Sequence, residues 1–130
     1  MNEISMDAIN TTYRAAMFDG EPGLHWLRQG WRGLRQYGRR ARVAIEQGDH
    51  SAKALMISRA DELLNVMSGV LGTENSTTLG PALMTIYSAL RFTLLRANTE
   101  NSLEALQDFD AALSFLDRDM IKISESVVSA

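Results

Sequence analysis

The stretch from Leu24 to Gln47 constrains the fold of this 130-residue chain more than any other part. Its apolar residues advance in steps of four and three, the spacing that places side chains on one face of an α-helix. This seam comprises Leu27, Trp31, Leu34, Gly38, Ala41 and Ile45. Because an isolated helix is marginal in water and needs its apolar face covered, the stretch predicts a long helix packed against other helices.

A stripe of arginines lies one residue further along, about 100° around the same helix. It comprises Arg28, Arg32, Arg35, Arg39 and Arg42. No acid lies within the stripe, whereas seven acids and two bases follow from Glu100 onward. We favour pairing with acids of the last helix or contact with a protein partner. The alternative is a surface that tracks a phosphate backbone, with Trp26 and Tyr37 nearby.

The composition predicts an all-α fold with one core. Two prolines and little alternation of β-branched residues argue against sheets, and the content of alanine, leucine, methionine, arginine and glutamate favours helices. Cysteine is absent, which excludes disulfides and thiolate ligands. No signal peptide or long apolar run is visible, so we expect a cytosolic protein without a membrane partner.

The periodic segments predict an antiparallel up-down four-helix bundle over residues 22–126. Residues 1–21 are predicted to form a flexible N-terminal cap segment, either as a short helix or in an extended conformation. The predicted helices span about 23–47, 50–71, 79–97 and 102–124. Gly48 is expected to end the first of them in a left-handed conformation, and Asp49 to cap the next. Asn101 and Glu104 have the spacing of a capping box before the last helix.

The third predicted helix is apolar on more than one face. Its seam is accompanied by Met84, Ala89, Phe92 and Leu95, which lie off the seam. These residues are either extra core beneath the N-terminal segment or a groove that receives a partner helix. On the first helix, Trp31 lies on the seam and is expected in the core, whereas Trp26 falls off it and is expected to be exposed.

Catalytic chemistry is not predicted. His25 and His50 lie in different elements, without the Glu-x-x-His pairs of di-iron bundles. No nucleotide-binding loop is present. The acids of the last helix, Asp108, Asp110, Asp117 and Asp119, do not converge on one face. We therefore predict no enzyme activity and no catalytic, cofactor or metal site.

Five segments, in this order and spacing, resemble the flagellin export chaperones of the FliS family. They are Trp31–Leu34, Ala41–Asp49, Ile57–Ala60, Ile86–Leu90 and Leu94–Asn98. The first two are similar to the family's Tyr-Asp-Gly-Ala-Ile, Ala-x-x-Ala-Ile and Gly-Asp pattern, and the third to its second helix. The last two resemble its Leu-Tyr-Asp-Tyr and Arg-Leu-x-x-Ala-Asn helix. The resemblance covers about residues 22–123, with departures at Glu21, Trp31, Arg32 and Met120.

This resemblance implies a chaperone of flagellar type III secretion in the bacterial cytosol. Its partner would be the disordered C-terminal segment of flagellin, or a related exported subunit, which it keeps from polymerising early. The candidate client-binding residues are Trp26, Arg28, Trp31, Arg35, Tyr37, Met84, Tyr87, Phe92 and Leu95. Tyr13, Met17 and Phe18 are candidates for the N-terminal cap over part of the client surface.

No cofactor is implied, and we expect a monomer or weak homodimer. Two other functions stay open at this point. One is a small bundle that binds nucleic acid or another anionic partner through the arginine stripe. The other is a plain oligomerisation module.

Overall fold

The computed structural model describes residues 21–71 and 79–129, which form four α-helices and confirm the predicted all-α fold. The helices are α1 (Glu21–Gln47), α2 (His50–Leu71), α3 (Leu79–Glu100) and α4 (Leu103–Ser129). The third helix runs three residues past its predicted end, and the fourth runs five residues past. The predicted cap segment, except for its last residue, lies outside the described residues.

The helices form a closed ring in which each one packs against two neighbours. Contacts join α1 to α2, α2 to α3, α3 to α4, and α4 back to α1. The ring encloses the predicted seam of α1, whose Trp31, Leu34 and Ala41 are fully buried. Facing them are Leu64, Tyr87, Leu94, Phe109 and Leu113 from the other helices. Since every helix contributes one apolar stripe, the bundle has a single core.

Close approach of α1 and α4 depends on a glycine in the seam. A Cβ atom added to Gly38 would lie 3.1 Å from Cδ2 of Phe109. That distance is shorter than ordinary van der Waals contact, and the Phe109 ring is itself fully buried. The aromatic ring therefore occupies the space that a side chain at position 38 would need.

The first turn matches its prediction. Gly48 has a φ of 71°, and the amides of Gly48 and Asp49 donate to the carbonyls of Ile45 and Ala44 at 3.1 and 2.8 Å. This pair of bonds is the Schellman ending of a helix. Oδ1 of Asp49 then accepts from the amide of Ala52 at 3.0 Å, which caps α2. Ending one helix and starting the next within two residues forces the antiparallel hairpin.

The second turn differs from its prediction by one residue. Asn101, with a φ of 51°, ends α3, and the amide of Ser102 donates to the carbonyl of Ala97 at 3.3 Å. The N-cap of α4 is Ser102, whose Oγ accepts from the amide of Ala105 at 3.0 Å. The predicted capping box of Asn101 with Glu104 is therefore wrong. Asparagine tolerates the left-handed conformation that a helix ending needs, and serine follows it as the cap.

A lysine in the first turn of α2 forms hydrogen bonds with the second turn, at the same end of the bundle as the first turn. Lys53 is buried, and its Nζ donates to the carbonyl of Asn98 at 3.0 Å and to Oδ1 of Asn101 at 2.6 Å. The ammonium thus satisfies a carbonyl of the last turn of α3, where a positive charge also complements the helix dipole.

One side-chain hydrogen bond crosses the core diagonally. Nε1 of Trp31 on α1 donates to the hydroxyl oxygen of Tyr87 on α3 at 3.0 Å. Both side chains are fully buried. Because a buried indole N–H without an acceptor is costly, this bond couples two helices that do not pack directly against each other.

Candidate functional site

An open groove of about 580 Å³ lies between α2 and α3. Its floor is formed by Ile57 and Leu94, which belong to the core. The α2 wall carries the small residues Ala54 and Ser58, whereas the α3 wall carries Phe92 and Leu95. We call this feature the α2–α3 groove. Small side chains on one wall leave room beside the large apolar side chains on the other.

The apolar residues of the α3 wall are exposed to solvent. Phe92 is 76% exposed and Leu95 is 57% exposed. The α3 seam of Leu83, Leu90 and Leu94 faces the core, so helical periodicity points Phe92 away from it. Exposed apolar side chains that lie together mark an interaction site more often than single scattered ones do. Phe92 and Leu95 therefore lie outside the core of the described helices, whereas the N-terminal segment that the other interpretation of α3 requires lies outside the described residues.

An ion pair bridges the two walls of the α2–α3 groove. Nε of Arg91 on α3 lies 2.9 Å from Oδ1 of Asp61 on α2, and a second guanidinium nitrogen lies 3.3 Å from Oδ2. Arg91 also donates to Oδ1 of Asn65 at 3.5 Å. Both charged side chains are well exposed, so the pair adds little stability. The pair joins the two walls of the groove at this level.

The arginine stripe pairs with α4, as the favoured interpretation predicted. Nε of Arg28 lies 2.8 Å from Oδ1 of Asp117, and Nε of Arg35 lies 2.9 Å from Oδ1 of Asp110. Arg32 also approaches Asp117, and Arg39 also approaches Asp110. These two acids face α1, as expected from a helix whose four aspartates do not share one face.

The pairing shifts the pKa of two groups. Burial is the largest single effect and raises the pKa of Asp117, but the hydrogen bonds from Arg28 and Arg32 and the attraction of their charges together outweigh it, so the net pKa of this carboxyl is below its ordinary value. The hydrogen bond to Asp110 is the main reason that the pKa of Arg35 is raised, against the smaller opposing effect of burial. The charged forms are therefore favoured on both sides of the α1–α4 contact.

The candidate client-binding residues separate into three groups. Phe92 and Leu95 lie together at the α2–α3 groove. Trp31 and Tyr87 are fully buried and bonded to each other, so they belong to the core and not to a binding surface. The other five candidates lie outside the groove. Trp26 is 40% exposed, as expected, and Tyr37 and Met84 are half-buried. Arg28 and Arg35 are paired with aspartates of α4.

Two further points concern the rest of the prediction. The proposed cap residues Tyr13, Met17 and Phe18 lie outside the described residues. The sequence analysis did not identify the small residues Ala54 and Ser58 as one wall of the groove. Their spacing of four residues places both side chains on the same face of α2, which could have indicated it.

The described part of the chain contains neither a candidate metal site nor a candidate membrane-spanning helix. Within residues 21–71 and 79–129, no three histidine, aspartate or glutamate side chains come together in a group that could hold a metal ion. His25 and His50 are both exposed. No helix among these residues is both long enough and apolar enough to cross a membrane.

A closed antiparallel ring of four helices defines the class of the protein as an all-α four-helix bundle, with an exposed groove between α2 and α3. The model of one protein family, described as flagellar protein FliS, matches residues 7–120. The chain therefore belongs to the FliS family. Membership supports a general role as a flagellar export chaperone, and the family is not known for enzymes. The searches of curated proteins and of solved structures each found no match.

Proposed function

We propose that this chain is a cytosolic export chaperone that binds the disordered C-terminal segment of flagellin in the α2–α3 groove. Binding there would keep the segment from polymerising before type III secretion. The observation that carries the proposal is the exposed pair Phe92 and Leu95 facing the small wall of Ala54 and Ser58. Family membership supplies the flagellar role, and the groove supplies a place for a client.

The shape of the groove suits a client that becomes helical on binding. An amphipathic helix places apolar anchors on one face and lays them into a groove between two helices. A segment that orders on binding needs apolar burial to offset its lost entropy. Covering an exposed phenylalanine or leucine contributes about 1.5–3 kcal/mol each. Phe92 and Leu95 are therefore the expected anchors of the interface.

The nucleic-acid alternative gains less support from the site. Arg28 and Arg35 each make a short bond to an aspartate of α4. A phosphate would have to displace these carboxylates before it could use the inner part of the arginine stripe. The α2–α3 groove, in contrast, presents the exposed Phe92 and Leu95 without such a displacement.

Calorimetry with a synthetic peptide of the flagellin C-terminal segment tests the proposal. Leu95→Asp should weaken binding at least about tenfold, because it replaces an apolar anchor by a charge that must be desolvated. Val43→Asp is the matched control, since Val43 is a half-exposed aliphatic residue on α1, diagonally across the bundle from α3.

The control variant should bind the peptide as the unmodified chain does. Both variants should keep the helical circular dichroism and cooperative melting of the parent, since both side chains are substantially exposed. Equal binding by the Leu95→Asp variant and the parent would show that the client does not use the α2–α3 groove.

A further inference from the structure

The pairing between α1 and α4 leaves positive charge uncompensated, because two aspartates serve four arginines. Arg28 and Arg35 take the short bonds to Asp117 and Asp110. Arg32 comes no closer to Asp117 than 3.4 Å, and the side chain of Arg32 is 53% exposed. Arg39 comes no closer to Asp110 than 3.7 Å and is 65% exposed. Both outer arginines are therefore paired less closely and exposed more than Arg28 and Arg35.

These outer arginines lie on one edge of α1, which we call the outer arginine edge and define by Arg32, Arg39, Arg40 and Val43. Arg40 is exposed and makes no ion pair with any residue of the described ranges. Val43, 48% exposed, follows Arg39 and Arg40 by one helical turn. The nearest acid on α1 is Glu46, which Arg42 engages at 3.6 Å. The edge thus combines three cations with one aliphatic side chain.

We propose that the outer arginine edge is a docking surface for an acidic, partly apolar segment of a partner protein. Arginine favours bidentate pairing with carboxylates, and the outer arginines have guanidinium nitrogens left for it. Arg32 and Arg39 are seven residues apart, which is about 10 Å along the helix. The partner therefore carries two carboxylates at that separation, followed by an apolar side chain that covers Val43.

A protein segment fits this edge better than a nucleic acid does. Single-stranded nucleic acids are held by aromatic side chains on which bases stack, together with cations. The aromatic residues nearest along α1 are Trp31, which is fully buried, and Tyr37, which packs against the core and is half-buried. Val43 contributes an aliphatic contact, which suits a protein side chain. The net charge of the chain is −3, which gives no general attraction for a polyanion.

The edge is separate from the α2–α3 groove. α1 and α3 are diagonal in the ring of helices, so Val43 and Phe92 lie on opposite sides of the bundle. The proposal therefore does not depend on flagellin binding. A second partner could occupy the edge while a client occupies the groove.

The test uses the full chain, labelled with ¹⁵N, and a synthetic helix-forming peptide with two glutamates seven residues apart and a leucine four residues further. A twin peptide carries glutamine in place of both glutamates. We expect chemical-shift changes clustered between Arg32 and Val43 with the acidic peptide. The dissociation constant of the twin should be at least about tenfold weaker, since it lacks the charge-assisted hydrogen bonds.

Two triple variants separate a local site from a general charge effect. R32Q/R39Q/R40Q should weaken the binding of the acidic peptide at least tenfold, whereas R59Q/R96Q/R118Q, which removes the same charge from the other three helices, should not. Equal weakening by both variants would overturn the proposal, as would equal binding of both peptides or shifts located at the α2–α3 groove. If the edge variant does not fold, the shift map and the twin peptide decide.

Competition with a single-stranded oligonucleotide at about 0.15 M salt completes the test. We expect the oligonucleotide to leave the peptide-bound spectrum unchanged. Displacement of the peptide at equal concentration would assign the edge to nucleic acid and overturn the proposal.

Discussion

Replacing Tyr87 by phenylalanine should destabilise the bundle by about 1–3 kcal/mol, although only one oxygen is removed. The Tyr87 hydroxyl accepts the indole N–H of Trp31 at 3.0 Å, and both side chains are fully buried. In the variant, the N–H stays in the core without this acceptor, so its desolvation is no longer offset. Exposed residues of α3 are untouched by the change.

The expected loss converts into a measurable shift of the melting midpoint. At about 2.1 cal/mol/K per residue, 130 residues have an unfolding entropy of about 0.27 kcal/mol/K. Each kcal/mol therefore lowers Tm by about 4 °C, and Tyr87→Phe should melt about 4–11 °C below the parent. Thermal circular dichroism measures this shift, and urea unfolding gives the matching change in free energy.

A double-mutant cycle isolates the part of the loss that belongs to the hydrogen bond. Trp31→Phe alone costs packing as well as the N–H, and the cycle subtracts the packing. The coupling energy between the two substitutions should be about 1 kcal/mol. If Tyr87→Phe melts within about 2 °C of the parent and the coupling is zero, the diagonal bond does not stabilise the bundle and the reasoning fails.

Three other substitutions test separate contacts. Asp117→Asn should lower the free energy of unfolding at neutral pH but not at low pH. The pKa of Asp117 is lower in the folded chain than in the unfolded chain, where it is about 3.9, so the ionised carboxylate stabilises the fold at pH values above about 3.9. This contribution is lost as the pH falls through the pKa of the folded state. A difference between the urea midpoints of parent and variant that does not shrink as the pH falls would contradict this. Gly38→Leu should cost about 1–3 kcal/mol in urea unfolding, because the side chain enters the space of the Phe109 ring; an unchanged midpoint would show that the ring can move. Lys53→Met keeps the apolar stem but removes the donor to the carbonyl of Asn98, so Tm should fall by several degrees, and an equal Tm would mean that water replaces the ammonium.

The sequence alone was sufficient for the local and periodic features of this protein. The seam from Leu27 to Ile45 predicted the buried face of α1, and Gly48 with Asp49 predicted the first turn, because both signals depend on residues close together in the chain. The order of the motifs also identified the family. The second turn shows the limit of such signals, since Asn101 and Ser102 both suit a helix end and only the backbone assigned their roles.

The tertiary structure decided which faces meet and which remain exposed. Periodicity places Phe92 off the seam of α3, but only the packing of α2 beside α3 determines that it borders an open groove. Periodicity likewise places the arginines of α1 in one stripe. Only the packing of α1 against α4 determines that Arg28 and Arg35 make the short bonds to aspartates, whereas Arg32 and Arg39 are paired less closely. The physical reason is that a helical repeat sets the direction of a side chain relative to its own helix, whereas burial and pairing depend on a neighbour that is distant in the chain.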